Sequence, residues 1–208
     1  MSFSFITIHP ENPQERLIRQ VVEILRNQGV IVYPTDSGYA LGCMLDNKSG
    51  MERICRIRAV DKNHNFTLVC SDISNLSQYA SFDNQQFKLL KRYTPGPYTF
   101  ILRASKEVPR RVMNEKRRTI GIRVPDNRIC ECLISELGEP IMSTSLILPD
   151  HEEFLHDPYE INDLLGHAVD AIVDGGYLQE KPTTVVDLMA DGYEVTRVGE
   201  GDPTPFLK

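Results

Sequence analysis

Tryptophan is absent from the 208 residues, and so are the short signatures that fix a function on sight. There is no GxxxxGK[ST] and no GxGxxG, so a nucleotide site here is neither a P-loop nor a Rossmann fingerprint. The 5 cysteines are odd in number and none forms a C-x-x-C pair; Cys130-Glu131-Cys132 has the wrong spacing for zinc. They read as reduced, structural thiols of a cytoplasmic protein. His9, His64, His151, His156 and His167 lack metal-ligand spacing, so no protein-bound metal is expected. No apolar run approaches the ~20 residues that span a bilayer, and MSFSFITIHP lacks the basic and apolar regions of a signal peptide. A net charge of −6 excludes an overall polycation but leaves room for a local basic cavity.

What is present is an ordinary globular composition, 41% hydrophobic and 25% charged, without repeats or low-complexity linkers. The most polar loop is 151–157. A single domain over residues 1–208 is expected. Residues 3–8 read as a strand, and a helix after Pro13 carries Leu17, Val21, Val22, Ile24 and Leu25 on one stripe, with Gly29 as its stop. The strand Val30–Tyr33 should end at Pro34. Helices are expected at 49–58, 73–80, 84–93, 129–137 and 159–165. Strands are expected at 66–69, 98–103, 119–124, 141–144 and 169–173, with a closing pair at 184–188 and 193–198. Intermixed elements of both kinds point to an α/β (mixed α+β) fold on one open twisted sheet.

Several segments share a design: an apolar strand that runs into small hydroxyl residues or an arginine. They are VIVYPTDS (30–37), TIGIRVPDN (119–127), IMSTS (141–145) and KPTTVVDL (181–188). Strand ends of this kind, brought together, make a pocket of hydroxyls, amides and guanidinium suited to carboxylate or phosphate. Arg123 is a charge inside an apolar strand. It needs either a ligand anion or an internal carboxylate. The run Arg110-Arg111 and Lys116-Arg117-Arg118 suits a solvated loop or a polyphosphate or RNA backbone.

PTDSGYALGC, TPGPYTFILR, IGIRVP, MSTS, KPTTVVDL and TRVGEGD occur in that order. Over nearly the whole chain this resembles the YrdC/YciO family, and HNFTLVC with GGYLQEKPTTVVDL is most similar to the YciO branch. The resemblance implies an open twisted sheet around a concave, positively charged cavity flanked by helices. It implies chemistry of the threonylcarbamoyladenylate type, in which threonine, bicarbonate and ATP (entering with Mg²⁺ as the substrate complex) yield the adenylate that feeds tRNA t6A modification. By the same resemblance Thr35, Tyr39, Arg123, Ser143 and Thr183 bind the amino acid, and Arg58, Thr119, Ser145 and Arg197 bind the nucleotide, with Arg58 also catalytic. The partners implied are nucleotide, threonine or a similar small amino acid, and tRNA or double-stranded RNA.

The chain departs from the family's KxR…SxN signature. Ungapped, Arg58 stands at the Lys and Val60 at the Arg; a two-residue shift makes Arg56 and Arg58 the basic pair. Ser145 keeps the serine, Ile147 replaces the asparagine, and Cys70 stands where the family has a histidine. Weakened synthase activity follows. Two other readings stand beside it: a non-catalytic double-stranded RNA or tRNA binder, and a hydrolase or carbamoyl-group enzyme acting on a related adenylate.

Overall fold

The computed structural model describes residues 3–61, 64–74, 76–149, 155–179, 181–189 and 193–207. Its elements run β1 (Ser4–Thr7), α1 (Glu15–Arg26), β2 (Ile31–Thr35), β3 (Gly38–Met44), α2 (Lys48–Arg58), β4 (Thr67–Val69), α3 (Leu76–Tyr79), β5 (Ala80–Ser81) and α4 (Asn84–Tyr93). They continue with β6 (Tyr98–Ala104), β7 (Thr119–Arg123), α5 (Arg128–Leu137), β8 (Ile141–Ser145), α6 (Pro158–Leu165), β9 (Ala171–Asp174), β10 (Thr184–Asp187) and β11 (Glu194–Arg197). The strands form one mixed sheet in the order β1-β9-β2-β3-β8-β4-β7-β6-β10-β11, with β5 beside β6. No helix of the described residues is long and apolar enough to cross a membrane.

The two faces of the sheet are covered unequally, and this makes the site. Val32, Leu41, Leu68, Phe100, Ile122, Met142 and Val186 point to one face and join a core with Met51, Ile54, Leu76, Leu90 and Ile161 of α2, α3, α4 and α6. On the other face, Ile31, Tyr33, Ala40, Ala171 and Val173 pack under α1 and α5 through Val21, Leu25, Ile129 and Leu133. Those two helices cover the β1–β3 end and reach as far as Ile141 of β8 and Val69 of β4. Beyond β8 the same face carries hydroxyls, a glycine and arginines instead of a helix-binding apolar surface.

Three local expectations are corrected. Residues 38–44 form a strand, β3, where no strand was expected between those at 30–33 and 66–69. Every residue of β3 is buried, so it lacks the polar alternation of a half-exposed strand, and Gly38 and Gly42 hide it further. At Gly42 a Cβ would come within 2.6 Å of Ile141 Cγ2, so close packing requires the glycine. The second correction is Pro34, which does not end β2. The strand continues to Thr35, paired with β3, while β9 pairs only with Ile31 and Val32, so the missing N–H falls where one side has no ladder partner. Third, Gly29 is not the left-handed residue that stops α1. Gln28 takes that conformation (φ 63°), and Gly29 N–H then closes on Ile24 O at 2.9 Å, the second bond of a Schellman turn. The buried stripe of α1 is Ile18, Val21, Val22 and Leu25, with Leu17 and Ile24 at its margins. Of the polar loop 151–157, residues 151–154 lie outside the described residues.

Candidate functional site

Register lays out the uncovered face residue by residue. Ser143, Thr67, Gly121 and Ile101 lie in one row across β8, β4, β7 and β6. The next row holds Val69, Arg123, Thr99 and Val185, continuing to Arg197 on β11. Above this floor lies a cavity of about 410 Å³, walled also by Ser37, Tyr39, Arg58, His64, Asn114 and Arg117. Gly121 keeps the centre open: a Cβ there would sit 3.1 Å from Thr67 Oγ1 and 3.4 Å from Thr99 Cγ2. Four arginines, Arg58, Arg117, Arg123 and Arg197, reach the wall, and none of the described lining residues is Asp or Glu.

Each arginine is anchored differently. Arg123, 8% exposed, is ion-paired with Asp36 and donates to Ser37 Oγ at 2.7 Å, while its Nε has no acceptor among the described residues. Asp36 also accepts from Asp126 N–H at 3.1 Å, which ties the β2–β3 turn to the segment after β7. Arg117 reaches from the 105–118 loop to the buried carboxylate of Asp187 at 2.6 Å. Arg58, the last residue of α2, donates to Thr144 Oγ1 at 2.6 Å and Ser145 O at 2.5 Å. Arg197 donates through Nε and Nη2 to Thr183 O (3.0 Å) and Thr183 Oγ1 (2.9 Å).

The hydroxyls divide into those facing the cavity and those serving the backbone. Thr99 and Thr183 share a hydrogen bond of 2.9 Å. Ser143 Oγ accepts from Tyr33 Oη at 2.7 Å and donates to Leu41 O, so a buried tyrosine fixes its rotamer. Burial holds the Tyr33 phenol far above its ordinary range, so it stays a donor. Tyr39 borders the cavity, and its hydroxyl donates to Gly176 O at 2.6 Å and accepts from Gly175 N–H at 3.2 Å. Burial, the larger cause, pushes its pKa up as well.

Of the residues named from sequence, Tyr39, Arg58, Thr119, Arg123, Ser143, Ser145, Thr183 and Arg197 fall on one wall. Thr35 does not. Its hydroxyl turns into the β2–β3 turn, donating to Gly38 O at 2.7 Å and accepting from Ser37 N–H, so it shapes the loop that carries Ser37. Between the two alignments of the basic pair, Arg58 is on the wall while Arg56 and Val60 are not. Ile147 stands on the wall, 38% exposed; Cys70 is buried beside β7, its N–H bonded to Arg123 O. Sequence reading missed His64, Thr67, Thr99, Asn114 and Thr144. Thr67 and Thr99 carried a usable signal, since each is a hydroxyl next to apolar strand residues. Among the described residues, no group of three His, Cys, Asp or Glu is placed to hold a metal ion.

Such a cavity, walled by arginine and hydroxyls at the open side of a mixed sheet, marks an α/β domain with a candidate site. A family model described as telomere recombination, that of the Sua5, YciO and YrdC proteins, matches residues 23–199, and the chain belongs to this family. It is 60% identical over 203 residues to YciO of Escherichia coli K12, covering 98% of each chain. The crystal structure of E. coli YciO superposes with a TM-score of 0.94 at 59% identity, covering 100% of both chains. A threonylcarbamoyl-AMP synthase of Vibrio vulnificus is 31% identical over 161 residues, 76% of this chain and 86% of that one. The fold is also that of P. abyssi Sua5 crystallised with L-threonine, at a TM-score of 0.85 and 23% identity over 94% of this chain and 57% of that one.

Proposed function

We propose that the cavity binds a nucleotide together with a small amino acid and supports a slow synthase reaction of the threonylcarbamoyladenylate type. The observation that carries this is the wall: four arginines with hydroxyls between them and no described carboxylate, Arg117 and Arg123 being paired to Asp187 and Asp36 from behind it. A low-dielectric concavity of that composition concentrates positive potential although the chain as a whole carries −6. Its volume of about 410 Å³ suits a small ligand. Tetrahedral phosphate and planar carboxylate both match guanidinium donors, and Mg²⁺ would enter already bound to ATP. Threonine as the amino acid rests on the V. vulnificus relative and on the ligand of the P. abyssi protein. In this reading Arg123 takes the substrate carboxylate, and Arg58 and Arg197 hold the phosphates.

The reaction asks little acid–base work of the wall. Positioning two anions side by side and stabilising charge at the α-phosphorus are what arginines fixed by Thr144 and Thr183 supply. Ile147 removes one polar contact at that place, which lowers the rate without closing the cavity.

Calorimetric titration with Mg²⁺–ATP, followed by a pyrophosphate-release assay with threonine and bicarbonate, tests the reading. Micromolar-to-millimolar ATP affinity and release that requires all three substrates are expected. No ATP binding at millimolar concentration would overturn it. Binding of double-stranded RNA with a steep salt dependence and no nucleotide affinity would replace it with the RNA reading.

A further inference from the structure

One group on the wall, unlike the arginines, can take up a proton: the imidazole of His64. His64 Nε2 lies 3.0 Å from Thr144 Oγ1, and that oxygen accepts from Arg58 at 2.6 Å. A guanidinium only donates, so the hydroxyl keeps its own hydrogen to give, and the imidazole nitrogen is an acceptor within reach. Phe66 meets the ring edge-on, with centroids 5.1 Å apart and planes at 83°, which sets the orientation of the imidazole. The charged groups acting on it are Arg58 from the end of α2 and Asp61 from the loop that follows, and Arg117 of the 105–118 loop shares the cavity wall. Burial first, and Arg58 second, hold the imidazole below its ordinary pKa of 6.5, against the opposing pull of Asp61.

We propose that His64, acting through the Thr144 hydroxyl, accepts the proton that the substrate amine must lose. This rests on the amino-acid and nucleotide reading of the same cavity. The ammonium of the amino acid passes one proton to Thr144 Oγ1 as the hydroxyl's own proton moves to His64 Nε2. The freed nitrogen lone pair attacks the carbon of bicarbonate; a C–N bond forms and water leaves, giving a carbamate. A carbamate oxygen then attacks the α-phosphorus, and the bond to pyrophosphate breaks with the electron pair departing on pyrophosphate. The imidazolium returns its proton to solvent. The surrounding guanidinium groups assist, because cations nearby favour a neutral amine over an ammonium.

The test compares pH profiles of kcat/KM for pyrophosphate release in the wild-type chain, His64→Gln, Thr144→Val and Thr144→Ser, with ATP affinity measured in parallel. Substrates titrate alike in all four, so differences between profiles belong to the protein. His64→Gln and Thr144→Val should lose about 100-fold in kcat/KM, the size expected of a lost general base, with ATP affinity changed less than about 3-fold for His64→Gln. The wild type should show an acid limb below pH 6.5 that His64→Gln lacks, and Thr144→Ser should retain both rate and limb. An unchanged rate and limb in a folded His64→Gln would overturn the inference alone. ATP binding without turnover in the wild type would overturn it together with the synthase reaction, leaving nucleotide binding standing. Absent ATP binding would overturn both readings of the cavity.

Discussion

Replacing Asp36 by alanine should lower stability and, at the same time, make the protein more responsive to anions. Arg123 is 8% exposed and has two partners, the Asp36 carboxylate and Ser37 Oγ at 2.7 Å. Without Asp36 a buried guanidinium keeps one neutral acceptor, and Asp126 N–H also loses its partner. Removing one member of a buried pair costs roughly 3–5 kcal/mol. Ser37 still accepts from the guanidinium, and the adjoining cavity gives it room to relax, so about 2–3 kcal/mol is the working figure. In a chain of this size each kcal/mol moves Tm by roughly 2–4 °C, so Asp36→Ala should melt about 4–12 °C lower. Pyrophosphate should restore part of that loss, because the exposed charge now binds it more tightly, and should raise the Tm of the variant more than that of the wild type. Calorimetric melts with and without pyrophosphate measure both effects. A double-mutant cycle with Arg123→Leu isolates the pair, since removing both charges should restore most of the stability. A shift under about 2 °C, or equal pyrophosphate stabilisation in the two proteins, would refute the account of Arg123 as a charge held ready for a ligand.

Ile147→Asn should raise pyrophosphate release by ~10-fold, less than the ~100-fold of one ideally placed donor because the loop around it is apolar. Val60→Arg alone should change it little, since Val60 is off the described wall. Burial pushes the thiols of Cys43 and Cys70 up to about 12 and that of Cys130 higher still, so a thiol reagent at pH 8 should titrate only Cys55 and Cys132 in the native protein and all 5 after denaturation. Because the folded-state pKa of His64 lies below its ordinary 6.5, the unfolded chain binds its proton first on acidification. Stability from this group is full above pH 6.5 and is lost as pH falls through the folded pKa. Urea unfolding at pH 7.5 and 5.5 should therefore show a smaller difference in His64→Gln than in the wild type.

Much of the sheet was legible because most of its strands carry runs of β-branched and aromatic residues that end at Gly, Pro or Asx. What failed was legibility at the centre. β3 is buried on both faces and rich in glycine, so it offers neither alternation nor strong propensity. Pro34 misled for a different reason: a proline breaks a ladder only where its N–H would have been used, and that depends on which neighbour stops short. For the site, hydroxyls and arginines at strand ends were readable, but which way each hydroxyl turns was not. Thr35 and Thr183 sit in similar contexts; one closes a turn and the other meets Thr99 across the floor. Nor does any local pattern connect Asp36 with Arg123, or His64 with Thr144, because those pairs exist only once β4, β7 and β8 lie beside one another.

That dependence has a temporal side. The wall draws on Ser37 near one end of the chain and on Arg197 near the other, and the strand carrying Arg197 joins the sheet through β10 alone. A growing chain completes the α1–α5 half only with β9 at 171–174, when most of the wall has been made and Thr183, Val185, Thr196 and Arg197 are still to come. Contacts of such sequence separation form late and slowly. Binding competence then reports synthesis through β11: a chain cut before residue 194 keeps the core under α1 and α5, yet it is silent toward every ligand that needs Arg197. Ligand present during refolding should accelerate only the last phase, the docking of β10 and β11.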